Sequence, residues 1–124
     1  MNGNSLVVDT NIILYLFSGD QLVAEILNEK QIYISFITEL ELLSFKELTK
    51  SEHQKIIEFI NECTIIDINP SIKELSIPLR KKYSLKLPDA IVIATSVFFN
   101  IPLISADAKL KKIKEVDLVF YEIE

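Results

Sequence analysis

Four acidic side chains stand where apolar stretches give way to helices. Asp9 follows Leu6-Val7-Val8, and Glu41 ends the run Thr38-Glu39-Leu40-Glu41. Asp89 follows Leu87-Pro88, and Asp107 follows Leu103-Ile104-Ser105-Ala106. Each has a structural explanation of its own. Asp9 and Asp107 have the type and place of helix N-caps. Thr38 and Glu41 have the spacing of a capping box, in which the glutamate bonds back to the cap's backbone N–H. Asp89 in a first helical turn suits the helix dipole. Thr49-Lys50-Ser51-Glu52 repeats the box spacing with nothing chemical around it, so the box by itself marks no function. Four separate caps is one account; four acids meeting at one cleft is the other, and it needs less coincidence.

Carboxylates drawn together repel one another and need a counter-charge. Hard divalent cations with oxygen ligands, Mg²⁺ or Mn²⁺, are the natural partners. Such ions keep waters, activate one as a nucleophile and neutralise charge on a phosphoryl group. The sequence offers no competing catalytic set. Its one histidine, His53, lies in the polar run Lys50–Lys55 and reads as a solvated helix residue. Its one cysteine, Cys63, reads as core filling before a strand, so neither a disulfide nor a zinc site is available. Metal-assisted phosphodiester hydrolysis is the chemistry that fits.

The elements that must position these acids alternate. Leu6–Val8 reads as a short interior strand feeding an apolar helix through Phe17, and Ser18-Gly19 breaks the pattern. Asp20 is placed to cap a helix over Gln21–Lys30, with Leu22, Val23, Ile26 and Leu27 on one face. Ile32–Phe36 is β-branched and aromatic and reads as the second strand, with a helix following from Thr38. A helix opened by Thr49 runs to about Glu62, Thr64–Ile68 is the third strand, and Asn69-Pro70-Ser71 starts a helix to about Tyr83. Pro78 falls inside that helix and is expected to kink it. Pro88 suits the first position of the most apolar helix, which ends at Phe99. Leu103–Ser105 is the fourth strand, Ala108–Lys114 a lysine-rich helix, and Asp117–Tyr121 the fifth strand. The expected fold is α/β: a mostly parallel five-stranded sheet covered by helices on both faces. Right-handed crossovers bring every strand's carboxyl end to one rim. Asp9 and Asp107 reach that rim by this rule, and Glu41 and Asp89 are near enough to join them.

A chain of 124 residues, 49% of them apolar and with only 2 glycines and 4 prolines, is expected to fold as one domain, 1–124. The polar start Met1–Ser5 lacks the basic-then-apolar pattern of a secretory leader. The longest apolar stretch, Ala90–Phe99, is about half of what spans a bilayer. A cytoplasmic location without membrane attachment is expected. The net charge of −5 argues against gripping nucleic acid by electrostatics alone, but not against an enzyme whose acids bind cations.

Val7-Val8-Asp9-Thr10-Asn11, Ser35-Phe36-Ile37-Thr38-Glu39-Leu40-Glu41-Leu42, Leu87-Pro88-Asp89-Ala90 and Leu103-Ile104-Ser105-Ala106-Asp107 resemble, in order and spacing, the motifs of PIN-domain ribonucleases. The likeness is nearest to the small VapC-type toxins of prokaryotic toxin–antitoxin pairs, and it covers essentially the whole chain. The resemblance implies that Asp9, Glu41, Asp89 and Asp107 form an acidic metal site. Asp9 and Asp107 would then be direct ligands, with Glu41 and Asp89 binding directly or through water. It implies supporting polar roles for Thr10, Asn11 and Ser105, an RNA substrate, a homodimer, and a cognate antitoxin in the cleft. Phe45 departs from the pattern, since many relatives carry a glycine there.

Two basic clusters are candidates for RNA contact, Arg80-Lys81-Lys82 with Lys86, and Lys109, Lys111, Lys112 and Lys114. Arg80, Lys82 and Lys109 are the residues singled out, Arg80 first because its planar fork suits phosphate. A solvated helix face is the alternative for these lysines. Other classes fit less well. An aspartyl phosphotransferase would often carry a second aspartate where Asn11 stands. A receiver module expects a late lysine at a strand end, whereas Lys109 falls on a helix. A nuclease outside a toxin–antitoxin pair retains the same acids, and an inactive PIN-like module would have lost one.

Overall fold

The computed structural model describes residues 3–123; Met1, Asn2 and Glu124 lie outside the described residues. Five strands form one sheet: β1 (Ser5–Val8), β2 (Gln31–Ser35), β3 (Thr64–Ile66), β4 (Leu103–Ser105) and β5 (Leu118–Phe120). Their order is β3-β2-β1-β4-β5, and every neighbouring pair is parallel. The helices are α1 (Thr10–Phe17), α2 (Gln21–Leu27), α3 (Phe36–Leu43), α4 (Lys50–Glu62), α5 (Pro70–Tyr83) and α6 (Leu87–Phe99). A short 3-10 turn, Ala108–Lys112, links β4 to β5.

The two-residue period of the strands divides the core. Leu6, Val8, Ile34 and Ile104 point to one face, where Ile12, Ile13, Val23, Leu42, Ile56 and Ile60 from α1 to α4 cover them. Val7 and Leu103 point to the other face, under Ile72 and Leu79 of α5 and Val92, Ile93 and Ala94 of α6. A sheet buried on both sides needs near-continuous apolar strands, and β1 has no exposed residue. The helix starts other than that of α6 are set by side-chain caps. Asp20 accepts from Val23 N at 3.1 Å, Asn69 accepts from Ile72 N at 2.8 Å, and Thr49 with Glu52 forms a complete capping box.

Several boundaries differ from the sequence expectations. The second helix stops at Leu27, because Asn28 leaves helical geometry and Glu29 takes a positive φ of 61°. Leu22, expected on its buried face, is exposed. Phe36 belongs to α3 rather than β2, since Ser35 accepts from Ile37 N and starts the helix there. β3 ends at Ile66 because the Asp67 carboxylate turns back onto Ile68 N at 2.8 Å. Leu87, not Pro88, is the first residue of α6. The lysine-rich helix is only the 3-10 turn, and the last strand shortens to three residues. α5 is as expected, a helix from Pro70 to Tyr83 with Pro78 inside it.

What matters for function is the order of the strands. The chain leaves β1 in one direction to reach β2 and β3, and β4 and β5 lie on the other side. The β1–β4 junction is thus where the winding reverses, the place where open α/β sheets leave a crevice beyond their carboxyl ends. Asp9 and Ser105 sit there, with Asp9 N donating to Ile104 O at 3.2 Å.

Ile104 is 0% exposed at that junction. Ile104→Ala is expected to lower stability by about 2–5 kcal/mol in chemical denaturation, and His53→Ala by less than about 0.5 kcal/mol. A cost for Ile104→Ala no larger than for His53→Ala would mean that the junction is not the packed centre.

Candidate active site

A cavity of about 510 Å³ opens at the reversal point, walled by Asp9, Thr10, Asn11, Leu14, Glu41, Ser44, Phe45, Asp89 and Asp107. All four expected acids share it. Asp9 arrives as the residue after β1, and Asp107 two residues after β4. Glu41 lies on α3, and Asp89 in the first turn of α6. The cap and the cavity are not alternatives for the aspartates. Asp9 accepts from Thr10 N at 2.9 Å, and Asp107 from Lys109 N at 3.0 Å, while both line the cavity. Glu41 is different. Thr38 lies inside α3, not at its start, so no capping box forms there; the Glu41 carboxylate instead accepts from the Thr10 hydroxyl at 2.6 Å.

Ser105 and Thr10 hold the acids in place. The Ser105 hydroxyl donates to the second Asp9 oxygen at 2.8 Å and accepts from Asp107 N at 3.1 Å, tying the two aspartates to one side chain. Burial pushes the Asp9 carboxyl above its ordinary value. The bonds from Ser105 and Thr10 act against that shift, and the charges of Glu41 and Asp107 add to it. Burial also raises Asp89, helped by the charges of Asp9 and Asp107, while Lys109 and Lys86 oppose the shift. Desolvation thus outweighs mutual repulsion at both aspartates.

Every acidic donor on the cavity wall is a carboxylate oxygen, the preference of hard cations. Among the described residues, no three acidic, histidine or cysteine side chains are grouped so as to enclose an ion.

The expected RNA contacts separate. Lys109 and Lys86 are near enough for their charges to act on Asp89. Lys82 pairs with Glu115 at 3.2 Å. Arg80 donates from Nε to Leu85 O at 3.3 Å and lines a different cavity, about 440 Å³, beside α5 and the start of α6. Leu14 and Phe45 enter the acidic cavity unforeseen. Leu14 follows from helical spacing after Thr10, but Phe45 lies beyond the last turn of α3, where periodicity carries no information.

The architecture and cavity define a doubly wound α/β domain with an acidic cleft at its topological switch point. The chain belongs to the PIN domain family, which it matches over residues 6–116. It is similar to a solved chain of a toxin-antitoxin complex from Klebsiella pneumoniae, at 34% identity and TM-score 0.82, covering 95% of this chain and 99% of that one. It shares its fold with a chain of VapBC2 from Rickettsia felis bound to a DNA fragment from its promoter, at 21% identity and TM-score 0.75, covering 95% and 99%. The same holds for a chain of DNA-bound VapBC from Salmonella typhimurium, at 16% identity and TM-score 0.81, covering 94% and 97%. A comparison with curated proteins finds no match.

Raised carboxyls carry a signed consequence for stability. The folded Asp9 binds its proton more tightly than the unfolded chain does. Its cost is therefore absent below the unfolded value and complete above the folded one. Without metal, Asp9→Asn is expected to raise stability near neutral pH by about 1–2 kcal/mol, the relief of charge outweighing the lost dipole interaction. That gain should vanish toward acid. Asp20, held below its ordinary value by Tyr121 and then Val23 N, predicts the opposite sign. Asp20→Asn should lose stability near neutral pH, and the loss should fade as pH falls through the folded value. Melting curves of both variants in EDTA from pH 3 to 8 decide it; an Asp9→Asn protein that melts lower throughout makes Asp9 a cap in a matched environment.

Proposed function

We propose that this protein is a Mg²⁺- or Mn²⁺-dependent endoribonuclease acting as the toxin of a toxin–antitoxin pair. The observation that carries the reading is the convergence of Asp9, Glu41, Asp89 and Asp107 on one cavity at the sheet's switch point. Membership of the PIN domain family supports it, as does the 34% identity to a chain of a toxin-antitoxin complex over nearly the full length.

Asp9 and Asp107 would hold the ion directly, tied together by the Ser105 hydroxyl, with Glu41 and Asp89 binding it directly or through water. An ion held there would supply charge neutralisation at the scissile phosphoryl group and would make a water a better nucleophile. Thr10 orients Glu41, and Asn11 offers a neutral donor and acceptor at the cavity wall. Lys109, with Lys86, acts on Asp89 and gives the phosphate backbone a cation near the acidic wall. Arg80 and Lys82 would contact RNA only on surfaces outside the cavity. The whole chain, 1–124, serves as one domain, a cytoplasmic homodimer with a cognate antitoxin that covers the cleft. Among the described residues no helix is long and apolar enough to cross a membrane. A PIN nuclease outside a toxin–antitoxin pair is the second reading, carried by the same four acids.

Purified protein is expected to cleave RNA with Mg²⁺ or Mn²⁺, to stop in EDTA, and to lose at least about 100-fold in rate in Asp89→Asn and Asp9→Asn. Cleavage that survives chelation, or that Asp89→Asn retains, overturns the metal mechanism. Co-purification with the product of a neighbouring reading frame, and release of activity on its removal, separates the toxin from a free-standing nuclease.

A further inference from the structure

Thr38 is the one side chain of the T-x-x-E motif that the proposed site leaves unused. It is 0% exposed, on the turn of α3 just before Glu41, so both side chains lie on one face of the helix. A buried hydroxyl is costly unless bonded, and valine would fill the same space without that cost. Its partner is Thr10, the first residue of α1, whose Oγ1 is 3.2 Å from Thr38 Oγ1 and 2.6 Å from Glu41 Oε1. A hydroxyl carries one proton. Thr10 therefore donates to the carboxylate, its stronger acceptor, and accepts from Thr38. The result is a directed chain: Thr38 O–H to Thr10 O–H to Glu41 carboxylate.

We propose that Thr38 is a positioning residue for the acidic cavity, its buried hydroxyl acting through Thr10 to fix the Glu41 carboxylate on the cavity wall. The chain joins α3, which carries Glu41, to the first residue of α1, next to Asp9 at the end of β1, so it links the elements on which these two acids arrive. Bonds in series polarise one another, which makes Thr10 a better donor while Thr38 donates to it. Glu41 can then keep one oxygen committed to Thr10 and the other for a ligand.

This inference rests on the proposed metal-dependent activity, and the test separates the two. Wild type, Thr38→Val and Thr38→Ser are titrated with Mn²⁺, free ion being read by electron paramagnetic resonance, and then assayed on RNA. Thr38→Val is expected to bind Mn²⁺ about 3- to 10-fold more weakly and to lose kcat by a similar factor, with KM for RNA little changed. Thr38→Ser, which keeps the hydroxyl, should stay within about twofold of wild type. In a Glu41→Gln background, Thr38→Val should have no further effect on Mn²⁺ affinity. Thr38→Ala is read in the same way if the valine variant does not fold. Wild-type affinity and kcat in Thr38→Val, equal losses in Val and Ser, or an undiminished effect in the Glu41→Gln background each overturn the positioning role. A wild type that neither binds Mn²⁺ nor cleaves RNA overturns the nuclease reading itself, and the inference with it.

Discussion

A carboxylate placed at the end of the central strand of a parallel sheet loses water to the elements that crowd around it, and the protein must compensate locally. Asp9 is in that position. Its two oxygens are each assigned, one to Thr10 N and the other to the Ser105 hydroxyl. The first bond starts α1, and the second ties β1 to β4. The same group therefore sets the direction of a helix, closes the β1–β4 junction and presents charge to the cavity. These bonds do not cancel the cost of burial, since the carboxyl stays above its ordinary value.

Around this group the site is built from pairs of elements. Ser105 connects Asp9 with the Asp107 backbone, and Thr10 connects α1 with Glu41 on α3. Among the described residues Asp89 shows no such tie; it comes in on α6, whose cap position, Lys86, makes no side-chain cap bond. Its placement depends on the packing of α6 between α5 and the sheet, through Val92, Ile93 and Ala94. The core beneath the sheet and the charge above its rim are thus coupled through one helix.

The sheet and most helices were legible because their apolar periods are uninterrupted and their caps are conventional. Asn69 and Thr49 stand where the sequence places them. What was not legible depended on single side chains that turn back on the backbone. Ser35 capping α3 moved Phe36 out of β2 and displaced Thr38 from the cap to the interior. That one shift is why the capping-box account of Glu41 fails while the identical spacing at Thr49 holds. Arg80 could not be placed from its type, because its guanidinium answers to Leu85 O, a partner fixed only after the chain turns between α5 and α6.

Helix-start acids are common enough that position alone cannot separate a cap from a functional group. Asp9 and Asp20 show what does. Both precede helices with extended backbone, and both accept a bond from the helix's first turn. Asp20 gains the Tyr121 hydroxyl at 2.7 Å in an open setting, and its carboxyl falls below the ordinary value. Asp9 gains the Ser105 hydroxyl at nearly the same distance, 2.8 Å, yet its carboxyl rises. Asp20 also gains a backbone bond from Leu22, but the main contrast is burial, which is the largest cause at Asp9 and a lesser one at Asp20, with the charges of Glu41 and Asp107 adding to the rise at Asp9. A cap that satisfies its helix is stabilised as an anion. Asp9 satisfies its helix as well, and its carboxyl still holds a proton more tightly than an ordinary one, because burial outweighs the two bonds it accepts.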